Sequence, residues 1–511
     1  MTEEKKSRLY SLKPLIERWP AVTKPEGHVA FRTKIIWTIL CLILYYILTN
    51  VTIYGLKPNI IDLFAGYRFI MAGASGSIMH LGIGPIVTAS IILQLFVGAK
   101  IINLDLTKKE DKAIYQGSQK ILVIVIILVE AIPQVFGYLA PNEGLINAVG
   151  GIGWANVVIV IQLFIGALLV FFMDELISKW GIGSGISLFI AAGVSQSIFT
   201  GLFNWLPTRA DVPLSIGNPP AGVIPGTYYL MTQMSLGDMV DWGYQTIFID
   251  QANSIVALLG TIFIFFIVVY AESARIELPL AHDKVRGARG RYPIRLIYAS
   301  NIPVILMAAL LANINMFALM FYTNPGLRNI PFIGGQWWVG KYDLTVSTQP
   351  LAGGAWYLSN LNGINSWFMP IISGGAAGHA PWQFSVKVVV YLSVLIIGSI
   401  LFAKFWIETT DMGPSAVARQ IQSSGMQIPG FRRDPRILRK VLERYIPVVT
   451  VIGGASVGAL AGFADAVGTI GNASGTGLLL TVGIIIHLYE DIAKEQAMEM
   501  HPVLRGFFGA D

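Results

Sequence analysis

Charge is the scarcest resource in this sequence. Asp, Glu, Lys and Arg make up 13% of 511 residues, whereas hydrophobic residues make up 54%. Soluble globular chains carry about 25% charged residues. The three or four soluble domains that the length would allow could not cover their surfaces with so little charge. Disorder is excluded too, since it needs low hydrophobicity and high net charge. Cysteine is nearly absent: Cys41 stands alone inside an apolar run. An intramolecular disulfide and a cysteine-based zinc site are therefore impossible, and Cys41 is expected to pack as a small hydrophobe. There is no His-Glu-x-x-His and no P-loop with its lysine, so no metal site, no cofactor and no catalytic residue is expected. The first 34 residues are polar and lack the short apolar core of a cleavable signal. What remains is an all-α polytopic membrane protein.

Long apolar runs are abundant. Ten candidate spans of about 20 residues lie at 35–54, 77–97, 119–139, 154–173, 182–203, 252–271, 294–322, 386–407, 446–465 and 474–492. The stretch 58–74 is apolar but short and carries Asp62 and Arg68. It reads as a half-length re-entrant helix. With ten spans both termini share a side. That side holds 30 of the 36 Lys and Arg residues; the other holds Lys57, Arg68, Arg209, Arg328, Lys341 and Lys387. The bias predicts cytoplasmic termini and basic loops. The resulting parts are a cytoplasmic segment 1–34, a first five-helix half 35–203, an outward loop 204–250, a second half 251–492 and a cytoplasmic tail 493–511. The second half has cytoplasmic loops at 272–295 and 408–445 and a further outward loop at 323–385. Both outward loops are rich in Gly, Pro and Trp and are expected to be compact and ordered.

Five spans on each side of the loop 204–250 give the halves opposite orientations, an inverted repeat. The second span of each half carries a proline inside an apolar run, in Leu81-Gly-Ile-Gly-Pro-Ile-Val87 and in Ser300-Asn-Ile-Pro-Val-Ile305. Interrupted segments at matching positions mark the functional interface of such proteins, although membrane helices also carry proline for packing. Glu130 is the clear mid-membrane ionisable residue. It fits a proton or cation site, as an inverted-repeat secondary transporter would need, and equally a hydrogen bond between helices. Gly73-Ala-Ser75-Gly76 matches the motif of intramembrane serine proteases, but His80 is ill placed as a base. Gly181-Ile-Gly183-Ser-Gly185 reads as a flexible approach to span 5, and Gly454, Gly458 and Gly462 as close helix packing. The cytoplasmic segments 284–295 and 425–444 are dense in arginine. They serve either topology and anionic lipid or docking onto RNA phosphate.

Several stretches carry a closer likeness: Gly82-Ile-Gly-Pro-Ile-Val-Thr-Ala-Ser-Ile-Ile-Leu-Gln94, Tyr115-Gln-Gly-Ser-Gln-Lys120, Asp174-Glu-Leu-Ile-Ser-Lys-Trp-Gly-Ile-Gly-Ser-Gly-Ile186, Tyr292-Pro-Ile, Ser300-Asn-Ile-Pro-Val-Ile-Leu306 and Arg444-Tyr-Ile-Pro447. They closely resemble the SecY family, the central subunit of the protein translocase, in its archaeal and eukaryotic branch. The likeness runs from about residue 10 to the C-terminus with the ten spans in order; the outward loops are longer than the family leads one to expect. It implies a passive, gated channel in the cell membrane, not an enzyme. Such a channel binds signal sequences, passes secretory polypeptides across and releases apolar segments sideways into the bilayer.

By the resemblance the pore ring would be Ile83, Val87, Ile186, Ile190, Ile305 and Leu480. The plug would lie in 58–74 with Ile60, Ile61, Asp62, Leu63, Phe64, Tyr67 and Ile70. The lateral gate would hold Thr88, Glu130 and Asn301, and ribosome docking would use Arg275, Arg286, Arg289, Arg432 and Arg433. Expected partners are a SecE-like subunit, a small third (beta-type) subunit, the ribosome, signal peptides with the nascent chain, and lipid.

Overall fold

The computed structural model describes residues 8–27, 29–57, 71–98, 101–102, 104, 108–209, 212–251, 253–282, 289–299, 301–323, 328–330, 332, 334, 336–343, 347–376, 378–410, 412–423, 426–427, 435–472 and 474–500. Ten apolar helices follow the predicted order: α1 (Phe31–Asn50), α2 (Gly84–Gly98), α3 (Lys109–Gly137), α4 (Ile152–Trp180), α5 (Gly185–Phe203), α6 (Ile255–Ser273), α7 (Ile302–Thr323), α8 (Pro381–Thr409), α9 (Pro435–Val467) and α10 (Gly475–Met500). Predominantly apolar helices of this length close their backbone hydrogen bonds internally, the one form a chain can take across lipid besides a barrel. Among the described residues nine are long and apolar enough to cross a membrane, and α2 is a shorter apolar helix.

The span expected at 77–97 is thus helical only from Gly84. Residues 77–83 form turns closed by Ser77 N–H to the Ala74 carbonyl at 3.2 Å and Gly82 N–H to the Met79 carbonyl at 3.1 Å. The proline expectation changes with it. α2 begins at Gly84 and α7 at Ile302, each one residue before its proline. A proline in the first helical turn loses no hydrogen bond and starts the helix instead of breaking it. The two halves still match at this point. α2 and α7 pack against each other, so the halves meet through their corresponding helices.

Small residues bring α8 and α9 into close contact. A Cβ on Gly458 would lie 2.8 Å from the Leu395 carbonyl oxygen, and one on Gly454 3.1 Å from Ile400 Cα, as the four-residue glycine spacing predicts. Gly458→Val should therefore cost about 1–3 kcal/mol through overpacking. It should lower the thermal unfolding midpoint of the purified protein, whereas Ile452→Val on the exposed face should leave it in place.

The arginine-rich loops are not irregular. Strands β1 (Arg275–His282) and β2 (Arg289–Arg295) pair antiparallel, with Arg275 opposite Arg295 and Ala281 opposite Arg289. Strand β5 (Met426–Gln427) adds to the free edge of β1, giving the order β2-β1-β5. One small sheet thus joins the loops 272–295 and 408–445. The alternation of Ile276, Leu278 and Leu280 with Arg275, Glu277 and Pro279 is the period-2 signal of a strand.

The loop 204–250 contains a helix at Val223–Gln233. The loop 323–385 contains the strands β3 (Lys341–Asp343) and β4 (Ser347–Ala352), which form a hairpin. There Trp356 stacks on His379 at 3.9 Å between centroids, and Lys387 sits 4.8 Å over the Trp356 ring. The N-terminal segment straps the helix ends: Ile16 packs on Gly117, and Val22 N–H donates to Glu175 Oε2 at 3.2 Å.

Candidate functional site

The site is built where the chain returns from the segment 58–70 to α2. That segment, with Ile60, Ile61, Asp62, Leu63, Phe64, Tyr67 and Ile70, lies outside the described residues. At its end Ile83 N–H donates to the Met71 carbonyl at 2.7 Å, and the Tyr45 hydroxyl of α1 donates to the Ala72 carbonyl. Gly82 permits this approach. Its φ is +53°, and a Cβ there would stand 2.0 Å from the Met71 oxygen. His80 is fully buried beside this turn. Its Nδ1 accepts from Gly76 N–H at 3.0 Å, and its Nε2 lies 3.0 Å from Gln134 Oε1. Both ring nitrogens are thus engaged, so His80 is not free to act as a base for Ser75.

Ile83, Val87, Ile190, Ile305 and Leu480 are buried members of one hydrophobic cluster, and Ile186 packs against it half-buried. Ile83 precedes α2 and sits in the turn; the other five lie in α2, α5, α7 and α10. The approach to α5 is held by a side chain of α4. Asp174 Oδ1 accepts from Ile186 N–H at 2.9 Å, and a Cβ on Gly185 would meet Asp174 Cα at 2.6 Å. A carboxylate at this helix N-terminus satisfies one of its free amides and suits the helix dipole.

The polar residues at the α2–α7 seam are arranged in a chain. Asn313 Nδ2 of α7 donates to Thr88 Oγ1 of α2 at 3.0 Å. The Thr88 hydroxyl lies 2.8 Å from Glu130 Oε1 of α3, with the Gly84 carbonyl at 2.9 Å as its other acceptor. Glu130 is buried, its Oε2 has no hydrogen-bond partner among the described residues, and a Cβ on Gly84 would lie 3.3 Å from that oxygen. Three helices from both halves therefore meet in two side-chain hydrogen bonds.

Asn301 is not among them. Its Nδ2 donates to Glu272 Oε1 of α6 at 2.7 Å. The family resemblance is what assigns Asn301 to the gate. Sequence reasoning passed over Asn313, twelve residues on, whose partner Thr88 is 225 positions away in sequence. It also undercounted buried ionisable groups, because Glu272, Asp465 and Lys387 are buried as well. Asp465 is held by the Tyr391 hydroxyl at 2.7 Å and the Thr476 hydroxyl at 2.8 Å, where α9 turns into α10.

Of the arginines expected to dock, Arg275 opens β1 with an exposed side chain 3.7 Å from Glu277. Arg289 opens β2 on the face that the register gives to Arg275. Arg286, Arg432 and Arg433 lie outside the described residues.

This architecture has close relatives. A family model described as SecY matches residues 77–489, and one described as the plug domain of Sec61p matches residues 43–76. The protein translocase subunit SecY of Archaeoglobus fulgidus is 46% identical over 511 residues, covering 99% of both chains. That of Halobacterium salinarum is 47% identical over 509 residues, covering 97% of this chain and 98% of its own. Among solved structures, a protein-conducting channel superposes with a TM-score of 0.77 at 36% identity, over 96% of this chain and 98% of that one. Sec61 of the canine ribosome-channel complex superposes at 0.74 and 34% identity, again over 96% and 98%. With the family model matching most of the chain and relatives matching nearly all of it, the protein belongs to the SecY family.

Proposed function

We propose that this chain is the pore-forming subunit of a protein-conducting channel. It passes unfolded polypeptide between its two five-helix halves and releases apolar segments sideways between α2 and α7. The observation that carries the reading is the meeting of the halves. A buried aliphatic cluster with side chains from α2, α5, α7 and α10 lies behind a seam closed by two side-chain hydrogen bonds.

Such a cluster serves a channel in a way that ordinary polar linings do not. A narrow aliphatic ring excludes water and so blocks ions, and it offers no hydrogen-bond partner to hold a passing chain. The ring is Ile83, Val87, Ile186, Ile190, Ile305 and Leu480. The plug is the segment 58–74, and the gate's polar group is Thr88 with Glu130 and Asn313. Deleting 60–70 from the reconstituted protein should raise its resting ion conductance; an unchanged conductance would remove the plug assignment.

The energy for transport comes from a bound partner. Sec61 of the canine complex and an Ssh1 complex from yeast are ribosome-bound, and here the ribosome would dock on the β2-β1-β5 sheet through its arginines. SecE-like and beta-type subunits complete the complex. The protein is a multi-pass membrane protein; the basic bias supports cytoplasmic termini and a cytoplasmic sheet, and the channel reading takes its membrane to be the cell membrane. Arg275→Glu combined with Arg432→Glu should weaken ribosome cosedimentation roughly tenfold at moderate salt. Undiminished cosedimentation would leave the basic loops a purely topological role.

A further inference from the structure

Helix α7 has two polar ends of different character. At Asn313 it bonds across the seam to the first half. At its beginning, the side-chain hydrogen bonds of the described residues go to its own half. Arg295, the last residue of β2, places both Nη2 contacts at 2.7 Å on the Glu490 carboxylate of α10, with His487 Nδ1 3.3 Å from its other terminal nitrogen. Six residues on, Asn301 donates to Glu272 of α6. Gly483 of α10 lies directly beneath that pair: a Cβ there would stand 1.8 Å from Asn301 Nδ2 and 2.7 Å from Glu272 Oε1. Positions 483, 487 and 490 share one face of a helix, so the connecting segment lies along that face.

The segment is tied on its other sides as well. Leu296 N–H donates to the Ala274 carbonyl at 2.8 Å, and a Cβ on Gly453 of α9 would stand 2.3 Å from the Leu296 oxygen. The Tyr298 hydroxyl donates to the Met412 carbonyl at 2.9 Å, and Ile294, Ile297 and Ala299 are buried.

We propose that Glu272 and Asn301, seated over Gly483, are positioning residues that bolt the root of α7 to α6 and α10, so that α7 travels with the second half when the seam opens. The proposal rests on the channel reading and adds to it a fixed joint. Because the same segment is the continuation of β2, a load on the docking sheet is passed to α10 and α7 together. Both side chains are buried in protein, so little water competes for their hydrogen bond and leaving either partner unpaired is costly.

Cross-linking the full complex in its membrane tests this, in a Cys41→Ala background that leaves no native thiol in this chain. Cysteine pairs are placed at Thr88 with Asn313, at Glu272 with Asn301, and at the solvent-facing Arg295 with Glu490, and each is closed with a short bismaleimide. Linking 88 to 313 should reduce export of a secretory precursor about tenfold or more, the upper range of coupling between two states. Linking 272 to 301 or 295 to 490 should leave at least half of it. The unlinked Glu272→Cys/Asn301→Cys protein should accept precursors with defective signals, and linking should restore their rejection; Glu272→Gln should behave as the unaltered protein, since its amide oxygen still accepts from Asn301.

If the 295–490 or 272–301 link stops export as fully as the 88–313 link, the root moves and the proposal is overturned while the channel reading stands. If the 88–313 link leaves export intact, the channel reading itself falls, and this proposal with it. The 295–490 pair carries the test alone should the buried pair fail to accumulate in the membrane.

Discussion

Replacing Ile190 and Ile305 together with asparagine should open the resting protein to ions, raising the conductance of the reconstituted complex about tenfold or more through rehydration of an apolar constriction. Both side chains are buried in the cluster that includes Ile83, Val87 and Leu480. An apolar constriction blocks ions because the water column through it is unstable. A buried amide without a partner costs roughly 1–3 kcal/mol, and recruiting water into the constriction is the nearest relief. The change therefore attacks the seal directly instead of the fold around it. Ile161→Asn, on the exposed face of α4, is the control and should leave the conductance at its resting value. If the double variant, reconstituted at equal density, conducts no more than the control, these residues pack the halves together and do not form the seal.

The sequence made the spans readable because an apolar run of about 20 residues without charge has few other uses. The inverted halves followed from counting them, and the glycine spacing of α9 gave its close contact with α8. Where local and tertiary signals diverged, reading stopped short. The start of α2 at Gly84 depends on the positive φ of Gly82 and its contact with Met71, neither of which is visible in an apolar run. The strands β1 and β2 were hidden under their arginine content, although the alternation of Ile276, Leu278 and Leu280 was available. The gate residues divide along the same line. Thr88 and Glu130 meet as the family resemblance implies. Asn301 and Asn313 are twelve residues apart, about 18 Å along a helix, and nothing local to either says which one reaches Thr88. A carboxamide inside a membrane helix is legible as important; its partner is a tertiary fact. Glu272 illustrates the same limit, since it closes α6 as one of two polar residues at a span end and becomes a buried acceptor only through Asn301.

The seam predicts a reversal of sign that a simple count of hydrogen bonds would miss. Asn313→Ala removes the donor to Thr88 and leaves the Thr88–Glu130 pair buried with one contact fewer. A single such bond is worth about 0.6 kcal/mol in a membrane, but an incompletely satisfied buried polar group adds a penalty of roughly 1–3 kcal/mol. Both act against the closed seam, so its opening equilibrium should rise between about 5- and 150-fold, and precursors with weakened signals should be exported at rates near those of intact ones. The triple change Thr88→Val, Glu130→Leu and Asn313→Leu removes every partner at once. Apolar groups of similar size in place of a whole polar network are often neutral or stabilising, and here they also remove a carboxylate oxygen that lies against Gly84 with no partner among the described residues. The triple variant should therefore hold the seam shut, rejecting weak signals more strictly than the unaltered protein and slowing export even of strong ones. Export of matched precursors with intact and weakened signals, measured in the same membranes at equal channel levels, decides the matter. If the single and triple variants shift stringency in the same direction, the hydrogen bonds between α2, α3 and α7 do not set the opening equilibrium, and helix packing alone does.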